Sequence, residues 1–394
     1  MGSRVPGLDA ARGLAVLGMV IAHSVLTPAW GSGPAALLGF VHGRSGILFA
    51  TVAGVSLAII SGGSQRLGGD DLLRARTTIL GRAVVLLVLT GALSMLPTTI
   101  QVILASYAFW FVLSLPALRW RLRTLLVVAC CLALVGKLLV TGLPLWIPTW
   151  GYGSPDLGGN FVPTLLATTA SPALVWMAFV LAGMALGRFG LDNVKELRGF
   201  LVAGLALFAG FAAPFVVSAG SPAPLFNDVQ RSATSTTGID QTTDPVTGID
   251  WQRALWSFEP NSGTVFEVFS SGGLALALIA GLVLLGRLPW SRWVLLPLTG
   301  VGSMALTAYV VHVVVLTDAQ PKGLVADGGA GGWLCLGLVV ACGAWSQMFV
   351  SGPLEQLTGA VTDRLAGYPV LCSQAAGHRG TTPQAGPDAS RPGR

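Results

Sequence analysis

GFLVAGLALFAGFAAPFVVSA, residues 199–219, runs for 21 residues without a charged side chain. A bilayer span needs roughly 20 mostly apolar residues, coiled so that each backbone N–H and C=O finds a partner inside the segment. Comparable runs fall at 13–30, 46–62, 79–96, 100–118, 123–141, 172–188, 264–286, 293–316 and 332–352. The tightest connection lies near Pro97. Together these runs predict an all-α fold: a polytopic membrane helix bundle of about ten transmembrane spans.

The rest of the composition agrees. Hydrophobic residues make up 53% of the chain and charged residues 10%, against about 25% charged in a soluble domain. Nearly all the Arg and Lys lie between the runs. With the N-terminus inside, 18 of the 23 basic residues fall on the cytosolic side, from Arg4 and Arg12 to the tail. Four (Arg44, Arg231, Arg253 and Lys322) fall outside, and Lys137 lies within a span. That bias predicts both ends in the cytosol. Scattered between spans, the net charge of +6 marks topology; it forms no patch of the kind that grips nucleic acid. Asp9 beside Arg12, and the many later spans, favour an uncleaved first helix over a signal peptide. A membrane domain is expected over 1–372. The Pro-, Gly- and Arg-rich tail over 373–394, which holds His378, is expected to be disordered and cytosolic.

Cys130, Cys131, Cys335 and Cys342 lie inside apolar runs, Cys372 in the tail, and no Cys/His spacing suits a metal. The outer segments 142–171 (with Trp146, Trp150 and Tyr152) and 220–263 (with Trp251 and Trp256) suit either an extracytoplasmic ligand or interfacial anchoring.

Ionisable side chains in a membrane are expensive and are functional candidates by default. His23 lies eleven residues after Arg12, about 16 Å along a helix. His42 precedes the second span, and His312 lies towards the outer end of the ninth. An imidazole takes and releases protons near neutral pH, so each is a candidate catalytic base or carrier; the competing reading is a structural histidine bonded to a carbonyl. Arg12 suits bidentate phosphate binding or a topology-setting pair with Asp9. Arg44 could orient an acceptor or hold a carboxylate, and Glu267 could partner an outer histidine.

The opening RVPGLDAARGLAVLGMVIAH resembles the first span of the transmembrane acyltransferase superfamily, with Arg12 and His23 at the spacing of the membrane acyltransferase-3 motif. HGRSGILFATVAGVSLAI, with His42 and Arg44, is similar to the second span of the YeiB-like and heparan-α-glucosaminide N-acetyltransferase branches. VGSMALTAYVVHVVV and SGPLEQL resemble late YeiB-like segments. In EPNSGTVFEV, Asn261 stands where the resemblance implies a histidine, in a segment suited to acceptor binding.

The resemblance implies a multi-pass protein of a bacterial plasma membrane. It implies an acyl-CoA-dependent O- or N-acyltransferase, moving an acyl group (acetyl-CoA the expected donor) to an extracytoplasmic sugar or glycolipid of the envelope. Arg12, with Asp9, would hold CoA phosphates, and His23 or His42 would serve as base or acyl carrier. The partners implied are the lipid bilayer, acyl-CoA and a glycan acceptor, with monomer and homo-oligomer both open. The alternative is a proton-coupled transporter or lipid flippase without acyl chemistry, though no inverted repeat is seen.

Overall fold

The computed structural model describes residues 5–24, 33–98, 100, 102–146, 173–225, 255–319 and 329–377. No strand occurs among them. The helices are α1 (Pro6–Ser24), α2 (Arg44–Ile60), α3 (Gly69–Ser94), α4 (Leu104–Ser114), α5 (Leu122–Trp146) and α6 (Ala173–Phe189). There follow α7 (Val194–Ala219), α8 (Val265–Leu285), α9 (Ser291–Ser303), α10 (Ala305–Ala319), α11 (Gly329–Met348) and α12 (Pro353–Gly377).

Six of these are long and apolar enough to cross a membrane: α2 with the 3-10 turn before it, α3, α5, α7, α8 and α11. A seventh span is made if α9 and α10, bent by 73° to each other, count as one. The other expected spans fall on α4 and α6, which are apolar but shorter, and on α1, whose apolar residues are interrupted by Asp9, Arg12 and His23. α1 begins seven residues before the expected run, because Pro6 is preset for a first helical turn and Asp9 suits the positive helix end. α12 extends through Gly377, into the segment assigned to the tail. Most of both outer segments, with Trp150, Tyr152 and Trp251, lies outside the described residues, as does His378.

α1 sits at the centre, packed against α2, α8, α9, α10 and α11. Helices in lipid gain nothing from hiding apolar surface from one another, so close packing of small residues has to hold them. A Cβ on Gly13 would overlap the Leu298 carbonyl of α9, and one on Gly302 would overlap the Asp9 carbonyl of α1. α2 and α6 meet in the same way, with Gly54 against Val180 and Gly183 against Thr51. Hydroxyls inside spans are satisfied within their own helix: Thr51 donates to Ile47, Ser56 to Val52 and Thr317 to Val313.

The break between α9 and α10 is held from a distance. Glu355, near the start of α12, accepts from the Leu306 and Thr307 N–H groups (2.7 and 3.1 Å) and from the Thr307 hydroxyl (2.6 Å). Thr307 Oγ1 in turn accepts from Leu354 N–H at 3.2 Å. Two helix N-termini thus cap each other, and the late segments quoted above, VGSMALTAYVVHVVV and SGPLEQL, are locked together.

Gly302→Ala is expected to cost about 1–3 kcal/mol, the usual penalty of overpacking, seen as a lower midpoint of thermal unfolding in detergent. Gly91→Ala, where a Cβ meets nothing within 4 Å, should be neutral or stabilising. Equal midpoints for the two variants would show that the α1–α9 approach is not tight.

Candidate functional site

Polar groups gather at both ends of α1. At its N-terminal end Arg12 donates to Asp9 Oδ1 at 2.6 Å and to Ser56 Oγ of α2 at 2.7 Å. Arg12 therefore makes the pair its spacing from Asp9 suggested, and also bridges to a second helix. Arg82 of α3 faces both Arg12 and Asp363, and its Nε is enclosed without a hydrogen-bond partner. Two guanidinium groups beside a hydroxyl form a donor set of the kind that binds phosphate oxygens. Sequence reasoning missed Arg82 because it was counted as a topology charge. Ser56 went unseen because a lone hydroxyl in an apolar run looks like a small packing residue.

The three candidate histidines meet at the other end of α1. His23 Nδ1 lies 3.2 Å from His312 Nε2, with the two rings side by side and nearly coplanar, their centroids 5.5 Å and their planes 12° apart. His312 is completely buried. Its ring stands edge-on to Tyr309 at 4.9 Å, and the Tyr309 hydroxyl accepts from the Ile103 N–H at 3.1 Å. His42 Nε2 lies 3.1 Å from the Ala22 carbonyl. A carbonyl only accepts, so this nitrogen carries the proton. His42 Nδ1 and His312 Nδ1 are both enclosed without a partner. The remaining imidazole nitrogen among the described residues, His23 Nε2, is neither bonded nor enclosed.

Arg44 and Glu267 stand beside this group around one turn. Arg44 Nη1 donates to the carbonyls of Phe40 (3.0 Å) and Leu225 (2.8 Å). Its guanidinium lies over the Phe40 ring at 4.5 Å and the Phe258 ring at 5.8 Å. Gly43, between His42 and Arg44, has φ 69° and backs directly onto Pro260 and Asn261, leaving no room for a Cβ.

Glu267 does not partner a histidine, contrary to expectation. Its carboxylate accepts from the Asn261 N–H (2.5 Å), the Gly263 N–H (2.6 Å) and the Ser262 hydroxyl (3.2 Å). The reason is local: Thr264 caps α8 by accepting from the Glu267 N–H, which turns the Glu267 side chain back towards the preceding loop. Its electrostatic partners are Arg44 and Lys137. Asn261 is exposed, with φ 62°, a left-handed conformation that asparagine tolerates better than most residues. Its backbone N–H, rather than its side chain, serves the cluster.

Residues 4–210 match the family described as heparan-alpha-glucosaminide N-acetyltransferase, catalytic. Residues 245–364 match the family described as protein of unknown function (DUF418). No curated protein matches the chain. The first match holds Asp9, Arg12, Ser56, His23, His42 and Arg44; the second holds Asn261, Glu267 and His312.

Removing the Glu267 side chain takes the acceptor from the buried Gly263 N–H, a loss worth about 1–3 kcal/mol, and from the part-buried Asn261 N–H and Ser262 hydroxyl. Glu267→Ala should therefore lower the unfolding midpoint in detergent more than Glu267→Gln, which keeps one acceptor oxygen. An unchanged midpoint for Glu267→Ala would mean the turn is not held by this carboxylate.

Proposed function

The chain belongs to the heparan-alpha-glucosaminide N-acetyltransferase catalytic family, and on that footing we propose that it is an acyl-CoA-dependent O- or N-acyltransferase of the cell membrane. It carries an acyl group, acetyl in the first instance, from cytosolic donor to an extracytoplasmic sugar or glycolipid of a bacterial envelope. The proposal includes about ten spans with both ends in the cytosol, in line with the distribution of basic residues.

The observation that carries this reading is the arrangement along α1. A guanidinium held by Asp9 and Ser56 stands at one end. At the other stands His23, with an Nε2 that none of the described residues bonds. Arg12 would hold donor phosphates, with Arg82, which faces it, adding a second cation. Bound acetyl-CoA supplies an activated thioester carbonyl.

His23 is the base: its Nε2 takes the proton of the acceptor hydroxyl or amine. His42 cannot do so without breaking its bond to Ala22, since its other nitrogen is enclosed. It secures the end of α1 against the loop before α2. Arg44 and the turn at Asn261, which Glu267 braces, line the acceptor side.

The broken α9–α10 span, like the intramembrane histidines, would suit a transporter. Its helix end, however, is occupied by the Glu355 carboxylate of the chain itself, which leaves no opening there for a substrate anion.

The test is acetyl-CoA binding to the full chain in nanodiscs. Saturable binding is expected, and Arg12→Ala should weaken it roughly 10- to 100-fold, the worth of a charge-assisted hydrogen bond. His23→Ala should bind acetyl-CoA as tightly as the wild type yet abolish envelope acylation in cells. Well-folded protein that binds no acetyl-CoA would overturn the reading and make proton-coupled uptake the next assay.

A further inference from the structure

We propose that His312 is a positioning residue: by accepting a hydrogen bond from His23 Nδ1–H, it holds His23 in the tautomer whose lone pair is on Nε2. The 3.2 Å contact between His23 Nδ1 and His312 Nε2 requires one proton between two nitrogens. Two neutral arrangements satisfy it, and the surroundings distinguish them.

The backbone groups facing the His312 ring are the carbonyls of Ala308 and Tyr309. They approach it without closing a full hydrogen bond at Nδ1. Carbonyl oxygens repel a lone pair and attract an N–H, so the His312 proton belongs on Nδ1. Its Nε2 is then the acceptor, and His23 must donate from Nδ1. The opposite arrangement would set the His312 lone pair against those oxygens. It would also place a proton on His23 Nε2, leaving that ring no open site for a base.

His312 is built to be immobile. It is completely buried, with the His23 ring lying nearly in its plane beyond Nε2 and the Tyr309 ring steeply inclined to it, while Tyr309 is pinned to the Ile103 N–H. When His23 takes a proton on Nε2, the bond to His312 becomes charge-assisted and strengthens, which favours the protonated base as it forms. No atom of His312 needs to touch the acceptor. The same logic, an acceptor behind a histidine fixing its tautomer, recurs wherever imidazole acts as a base.

The assignment of His23 as base rests on the acyltransferase reading, whereas the tautomer does not, so the experiment separates them. The full chain, carrying 15N-labelled histidine, is examined in nanodiscs by solid-state NMR, with His23 assigned by the signals lost in His23→Ala. The wild type should show a protonated Nδ1 and a bare Nε2 on His23, with a nitrogen–nitrogen coupling across the bond to His312. His312→Leu should move the His23 proton to Nε2, wholly or in part. His312→Gln, whose side-chain oxygen can accept from Nδ1–H, should restore the wild-type pattern. In acyl transfer, His312→Leu should lower kcat roughly 10- to 100-fold, the usual cost of losing a residue that orients an active imidazole, with acetyl-CoA affinity unchanged and with recovery in His312→Gln. A wild-type His23 protonated on Nε2, or a tautomer indifferent to His312→Leu, would overturn the proposal. The wild-type spectrum decides it even if the leucine variant fails to fold. The expected spectrum in a protein that binds no acetyl-CoA would remove the acyltransferase reading and leave the His312–His23 bond standing.

Discussion

The structure depends on keeping one polar helix out of lipid. α1 carries Asp9, Arg12 and His23, and charged groups facing hydrocarbon would cost several kcal/mol. The chain meets this by surrounding α1 with α2, α8, α9, α10 and α11 and by letting α9 approach until backbone meets backbone at Gly13 and Gly302. That contact also fixes Asp9, whose own carbonyl is what Gly302 packs against. The ion pair of Asp9 with Arg12 is thereby presented to Ser56 in one orientation, rather than left as a mobile surface pair.

A second constraint sets the other end of the site. A continuous helix through 303–305 would carry His312 along the axis of α9. The 73° bend redirects α10, and the N–H groups freed by the bend would be costly in a membrane. Glu355 takes two of them, while Thr307 takes the Leu354 N–H in return. The placement of His312 against His23 is therefore secured by a carboxylate 43 residues further along the chain.

Much of this was legible in the sequence. Uncharged runs announce membrane helices because the bilayer leaves few alternatives, and α7 follows the run at 199–219 closely. The Asp9–Arg12 pair could be read because helical neighbours three apart are predictable. The histidines could be singled out because ionisable groups are rare in such runs, and their expected depths put them on related levels without showing which of them touch. What could not be read depended on side-chain direction. Glu267 bonds to the turn before it because the Thr264 cap turns it that way, and spacing alone does not reveal this. The partnership of Ser56 with Arg12 spans 44 residues, and a hydroxyl of that kind more often bonds within its own turn. Hydropathy marks α1 more weakly than its neighbours, because Asp9, Arg12 and His23 dilute its apolar character.

Arg12 and His23 are separated by eleven residues, close to three full turns at 3.6 residues per turn. They consequently share one azimuth on α1, and only a helix without kink or bulge between them preserves it. Losing or gaining a single residue in that interval would rotate one group by about 100° relative to the other, swinging either the guanidinium from Ser56 or the imidazole from His312. The segment between them thus behaves as a rigid axle whose length is quantised. Variation in chain length is confined to the connections, while inside α1 substitution is the only change that keeps both ends in phase.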